Sequence, residues 1–123
     1  MATAVGELKR ILGEFNMRYS ATMSAIVSRS GVPIAWNIPS GLTVDNFAAL
    51  SATLLVASEV IYSSIGKPAT IRIVVESDDG FLVLTGLGQK AFVVALFQKS
   101  GPEMLKGMEE VGSAIMDVLR GPM

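Results

Sequence analysis

The sequence predicts an α/β (α+β) sandwich in which eight elements follow the order α-β-β-α-β-β-β-α. Three segments carry apolar residues at helical spacing, and five shorter segments are β-branched or alternate between apolar and polar residues. Short turns separate the strands, which favours antiparallel pairing. We therefore expect one domain over residues 1–123, in which a five-stranded antiparallel sheet carries two helices on one face and one long helix on the other.

The first part of the chain predicts a helix followed by a β-hairpin. Residues 4–19 place apolar side chains on one helical stripe, which consists of Leu8, Ile11, Leu12, Phe15 and Tyr19. Residues 21–28 alternate as a strand, and the turn Arg29-Ser30-Gly31 leads to a second strand at 32–38. Because Pro33 has no backbone N–H to donate, we expect this second strand at an edge of the sheet.

A long helix is predicted in the middle of the chain. Thr43 is a suitable N-cap, and the helix extends to Ile65, where Gly66 and Pro68 end it. The segment Thr70–Ser77 is β-branched and alternating, which predicts the third strand.

The last part of the chain predicts two more strands and a final helix. Asp78-Asp79-Gly80 is a hairpin turn, and the strands Phe81–Leu87 and Ala91–Gln98 follow it. Ser100-x-x-Glu103 has the pattern of a capping box at the start of the last helix.

Both faces of the predicted sheet are apolar, so both need cover. Five strands make a sheet about 24 Å wide, whereas one helix covers about 10 Å. The first and last helices can cover one face together, but the central helix alone cannot cover the other. We expect a second protomer or another protein to cover the remainder.

The central helix carries only two charges over 43–65, Asp45 and Glu59, which is unusual for a solvated helix. We assign one apolar stripe to the sheet, which consists of Phe47, Leu50, Leu54, Ala57, Ile61 and Ile65. We predict that the opposite arc is an interface; its residues are Ala48, Ala52, Val56, Glu59 and Ser63, flanked by Leu55 and Tyr62. Two roles stay open for Glu59, namely contact with a partner and a solvated charge that keeps the helix soluble.

The third strand is the second candidate interface. It is regular and contains no proline, so at a sheet edge it would expose unpaired backbone groups. Antiparallel pairing with its own copy would satisfy them in a two-fold dimer. We therefore add Thr70, Arg72 and Val74 to the predicted interface residues.

Composition limits the chemistry. Ten basic and eleven acidic residues give a net charge of −1, which offers no strong field for nucleic acid or anionic lipid. The chain contains no Cys and no His, so the commonest metal ligands and the commonest general base are missing. We expect a cytoplasmic, non-catalytic protein with no cofactor, no metal, no nucleic-acid partner and no membrane partner.

The order and spacing of these elements resemble the Roadblock (dynein light chain) family. The resemblance rests on residues 24–35, the Ala- and Leu-rich helix Phe47–Ile65, and the strands Ile71–Val75, Gly80–Leu84 and Ala91–Leu96, and it covers about residues 5–119. It implies a homodimer, or a heterodimer with a paralogue, with the central helices side by side. It also implies a scaffold or regulator of a Ras-like small GTPase, with Thr70–Ser77 as the dimer-forming strand and Phe47–Ile65 as the partner platform.

Three alternatives remain open from the sequence. A dynein-light-chain-like structural adaptor would use the same surfaces without a GTPase. A small-molecule sensor would need a ligand cavity beside the sheet. An enzyme would have to use Asp, Glu, Lys, Ser or Tyr, which makes it the weakest of the three.

Overall fold

The structure is a computed structural model that describes residues 3–121. It confirms the predicted order of elements. The elements are α1 (Ala4–Tyr19), β1 (Ala21–Ser28), β2 (Pro33–Asn37), α2 (Val44–Ser64), β3 (Arg72–Ser77), β4 (Gly80–Leu87), β5 (Ala91–Phe97) and α3 (Pro102–Arg120).

All five strands form one antiparallel sheet in the order β2-β1-β5-β4-β3. The expectation from Pro33 is confirmed, because β2 lies at one edge of this sheet. The other edge is β3, which joins β4 through the predicted hairpin with Asp78 and Asp79 in the loop. The central strand β5 is buried on both faces, which explains its continuous apolar run.

The helices α1 and α3 pack together on one face of the sheet, as predicted. Their buried side chains are Leu8, Leu12 and Phe15 of α1 and Met104, Met108, Val111 and Ile115 of α3. The close approach depends on Gly107, because a Cβ atom there would lie 2.7 Å from Cγ of Tyr19. Core packing at this point leaves room only for a hydrogen.

The helix α2 lies on the other face, but it is rotated relative to the prediction. Its sheet side consists of Ala48, Ala52 and Leu55, which pack on Ala25, Val27, Leu84, Phe92 and Val94. Small alanines let the helix sit close to the strands, and the β1–β2 turn also approaches it. At Gly31, whose φ is +93°, an added Cβ would lie 3.3 Å from Cα of Ala49. Only glycine adopts this backbone conformation without strain.

The helix starts partly follow the predictions. Thr43 is the N-cap of α2, although its side chain accepts no hydrogen bond there. The predicted capping box Ser100-x-x-Glu103 is wrong, because Gly101 is the N-cap of α3 and no side chain caps it. Pro102 instead begins this helix, where its fixed φ suits the first turn. Thr3, which the sequence analysis missed, caps α1 through a 2.9 Å hydrogen bond from the Gly6 N–H.

Candidate functional site

The outward surface of α2 is apolar and largely uncovered. Only 22% of its most apolar 18-residue window is buried. By length and composition this helix is apolar enough to cross a membrane, a test that core helices of soluble proteins also pass. Within residues 3–121, therefore, α2 is a helix that lacks cover on most of its surface.

The exposed part of α2 has two sides, which follow from the 100° rotation per residue. The side that adjoins the β1–β2 turn carries Ala49, Thr53, Val56 and Val60, and we call it the turn side. The opposite side carries Leu50, Leu54, Ile61 and Ile65. Because α2 lies against β1 and β2, this second side faces the half of the sheet formed by β4 and β3, and we call it the β3 side.

The β3 side of α2 continues onto the uncovered half of the sheet. Ile73 and Val75 lie opposite Leu84 and Leu82 of β4, which belong to or pack against the cluster beneath α2. Val75 is exposed, and Ile71, just before β3, is 78% exposed. Helix and strand therefore present one continuous apolar area, which we call the α2–β3 surface.

The backbone of β3 adds unpaired hydrogen-bonding groups to this surface. In a hairpin with a two-residue loop, the closing pair, here Ser77 and Gly80, exchanges both hydrogen bonds. The alternation then directs the N–H and C=O groups of Arg72, Val74 and Glu76 away from β4. No strand lies beyond β3 among the described residues. This edge is regular and open, the arrangement that favours pairing with another chain.

Three predicted interface residues of α2 are not on the surface. Ala48, Ala52 and Leu55 are buried against the sheet, and Leu55 is only 3% exposed. The prediction that they face outward is wrong, because the alanines form the close-packed side of the helix. Val56, Tyr62 and Ser63 are exposed, as predicted for an outer arc.

Glu59 forms an ion pair and a hydrogen bond with Arg29 of the β1–β2 turn. The side chains are 26% and 28% exposed, so the pair is partly shielded from solvent. Neither role left open for Glu59 describes this contact, which ties α2 to the neighbouring turn. The guanidinium of Arg29 is likewise occupied by the Glu59 carboxylate.

The predicted residues at the sheet edge lie where α2, β3 and α3 meet. The Ser58 hydroxyl on α2 donates a 3.2 Å hydrogen bond to the Thr70 hydroxyl. This bond links the segment before β3 to the helix. Arg72 contacts Thr85 at 3.4 Å and lies 3.8 Å from Glu109 of α3. Val74 is half-exposed on the same face as Arg72.

The sequence analysis missed the residues that form most of the α2–β3 surface. Leu50, Ile61 and Ile65 were assigned to the sheet, whereas each is at least 60% exposed. Ile71 and Glu76 fall within the predicted dimer-forming strand Thr70–Ser77, but they are not among the interface residues predicted by name. The helical period alone could not orient α2, because residues on both sides of it are apolar.

The described residues offer no assembled catalytic or metal centre. No group of three or more Asp or Glu residues between 3 and 121 is placed to hold a metal ion. The grooves are open clefts, such as one of about 380 Å³ between α1 and α3. In that groove Tyr19 donates a hydrogen bond to Glu110, which raises the pKa of the Tyr19 hydroxyl. These features leave the apolar surface and the open strand as the candidate site.

The chain is thus a small α+β sandwich domain, with three helices, a five-stranded sheet and an open strand beside a largely uncovered apolar helix. The chain belongs to the Roadblock/LC7 family, because the Roadblock/LC7 domain model matches residues 7–97. The same fold occurs in solved structures of other proteins. Myxococcus xanthus MglB is 14% identical, with a TM-score of 0.87, and the match covers 94% of this chain and 96% of that one.

The gliding protein MglB from Thermus thermophilus is 16% identical, with a TM-score of 0.85 and coverage of 99% and 95%. A Roadblock/LC7 domain from Streptomyces avermitilis is 18% identical, with a TM-score of 0.81 and coverage of 93% and 98%. At these identities the likeness concerns the fold alone. Among curated proteins, none matches the sequence.

Proposed function

We propose that the chain is a non-catalytic cytoplasmic scaffold or regulator, which forms a homodimer and binds a Ras-like small GTPase through α2 and the adjoining sheet edge. One observation supports the proposed dimer: the open edge of β3 lies beside the uncovered β3 side of α2. A paralogue could occupy the same surface, which would give a heterodimer.

A two-fold axis at the β3 edge would give the open strand a hydrogen-bonding partner and would also cover the exposed apolar residues. Antiparallel pairing of two β3 strands would join the sheets and give the outward N–H and C=O groups partners. The β3 sides of the two α2 helices would then face each other across the joined β3 halves of the two sheets. Burial of Leu50, Ile61 and Ile65 would supply the hydrophobic free energy.

The GTPase partner follows from what the Roadblock resemblance implies. In the proposed dimer the turn side of α2 stays accessible, and Val56 and Val60 are exposed there. A GTPase seated on that side would be held by surface complementarity, which would stabilise one arrangement of its switch segments. The chain would lack the commonest general base, because it contains no His.

The dimer is tested by removing one hydrogen-bond donor from the open edge. Val74→Pro deletes an outward N–H, and proline is tolerated on edge strands. We expect the Val74→Pro variant to be a folded monomer and the wild type to be a dimer. Size-exclusion chromatography with light scattering measures both. Val75→Pro is the matched control, because its N–H bonds to β4 and its loss should unfold the hairpin. Unchanged dimerisation of a folded Val74→Pro would contradict pairing through β3.

The GTPase is tested by affinity capture from source-cell lysate with a non-hydrolysable GTP analogue. The wild type should retain a small GTPase, identified by mass spectrometry and then rebound as purified protein. Val56→Asp on the turn side should lose it, and Met17→Asp on the exposed part of α1 should not. If both variants retain the GTPase equally, the turn side is not its platform. If the wild type retains none, the GTPase role is contradicted and a dimeric adaptor remains.

A further inference from the structure

Charged residues flank the middle of the open strand on one face. Val74 lies opposite Val83 and Glu76 opposite Phe81, and both β4 residues pack on the α1/α3 core. Arg72 lies opposite Thr85 and reaches Glu109 of α3, so it points to this same face. Along the edge, one positive and one negative side chain are thus placed symmetrically about Val74.

We propose that two copies of this chain pair their β3 strands in a single register, with the two-fold axis at Val74 and Arg72 of each copy opposite the partner's Glu76. The inference rests on the proposed homodimer and adds what fixes its register. The two ion pairs would make the contact specific for a second copy of this chain.

Antiparallel geometry allows few registers. Only residues whose backbone groups point outward can form hydrogen-bonded pairs across the new edge, and these are Arg72, Val74 and Glu76. An axis at Arg72 places the two arginines opposite each other, and an axis at Glu76 does the same for the glutamates. Like charges that are directly opposite destabilise a strand pair.

Axes at the two intermediate residues give no ion pair within the strand. With the axis at Ile73, Arg72 faces the partner's Val74, and Glu76 faces the partner's Thr70, which precedes the strand. With the axis at Val75, Glu76 faces the partner's Val74, and Arg72 faces the partner's Asp78, which lies in the hairpin loop outside the strand. Only the axis at Val74 gives two reciprocal ion pairs inside the strand and one valine pair between them.

Both charged groups are available for this contact. Arg72 lies 3.8 Å from Glu109, but that carboxylate is 71% exposed, so the existing pair is weak. Glu76 takes part in none of the ion pairs that form within residues 3–121.

On the other face of the sheet the same register places Ile73 opposite the partner's Val75. These side chains belong to the α2–β3 surface, so the register adds apolar contacts in the area between the two α2 helices. The register that matches the charges therefore also pairs apolar side chains on the opposite face of the sheet.

The test exchanges the charges. In Arg72→Glu and in Glu76→Arg, each homodimer would hold two like-charge contacts, and we expect its Kd to rise roughly tenfold or more. Mixing the two variants places opposite charges together again, so the mixture should form a heterodimer at near wild-type affinity. The double variant R72E/E76R should dimerise with itself, which checks that the substitutions are compatible with folding.

The outcomes separate this inference from the proposed dimer. If the wild type is a monomer at all accessible concentrations, both are overturned. If the wild type is a dimer but the mixture shows no recovery relative to either variant, the register is overturned and the dimer stands. A loss caused only by the contact of Arg72 with Glu109 would not be rescued by mixing.

Cross-linking gives a second readout that does not depend on charge. The chain contains no Cys, so an introduced cysteine reacts only with its copy. In a hydrogen-bonded pair the Cα atoms lie about 5.5 Å apart, within the range of a disulfide, so Val74→Cys should cross-link on mild oxidation. Glu76→Cys would place the two thiols about 14 Å apart and should not. The reverse pattern would refute the axis at Val74.

Discussion

Replacement of Ile61 by alanine should weaken the dimer without weakening the fold. Full burial of an isoleucine side chain stabilises by about 1.5–3 kcal/mol. Ile61 is 60% exposed in the single chain, so about 1–2 kcal/mol remains to be gained by each copy when the β3 side of α2 is covered. Two copies contribute in a two-fold dimer, and alanine retains part of the burial. We expect a loss of roughly 2–3 kcal/mol, which raises Kd about 30- to 150-fold.

The assay is sedimentation equilibrium over a dilution series, together with urea unfolding at a concentration where both proteins are monomeric. The midpoint of urea unfolding should be the same for Ile61→Ala as for the wild type, since alanine favours the helix and little buried area is lost. Leu55→Ala is the control on the sheet side, where we expect the free energy of unfolding to fall by about 2–5 kcal/mol. An unchanged Kd for Ile61→Ala, or a loss of monomer stability as large as that of Leu55→Ala, would refute the orientation of α2.

Three further predictions concern contacts within the chain. Arg29→Met and Glu59→Gln should each lower the free energy of unfolding by about 1 kcal/mol. In a double-mutant cycle, the double variant should lose less free energy of unfolding than the sum of the two single losses. Gly107→Val should cost about 1–3 kcal/mol in chemical denaturation because its Cβ meets the Tyr19 ring, and Tyr19→Ala should recover part of that cost. The hydrogen bond to Glu110 raises the pKa of Tyr19 above its usual value of 10.0, so Glu110→Gln should lower it in a spectrophotometric titration. The stabilisation by this bond is present at neutral pH and is lost as pH rises through the raised pKa.

The order of elements could be read from the sequence because each is specified locally. The stripe from Leu8 to Tyr19 and the turn at Asp78-Asp79 depend only on near neighbours, and both are confirmed. The same locality explains the edge position of β2, since Pro33 cannot donate within a sheet interior.

The orientation of α2 depends on distant contacts, and the sequence could not supply it. Bulky residues such as Leu50 and Ile61 were assigned inward because burial of large side chains gains more free energy. In the structure the close approach of Gly31 and the sheet selects the alanine side instead. A helix with large apolar residues outside and alanines inside is typical of a surface that a second chain covers.

Two adjacent residues on α2 allow the proposed surfaces to be separated. Val60 and Ile61 are both β-branched and both 60% exposed, but one helical step turns Val60 to the turn side and Ile61 to the β3 side. Val60→Asp should leave the dimer intact and abolish retention of the GTPase. Ile61→Asp should give a folded monomer, because two buried carboxylates would face an apolar interface. If the two variants have the same effect on both measurements, the two sides of α2 do not have separate partners.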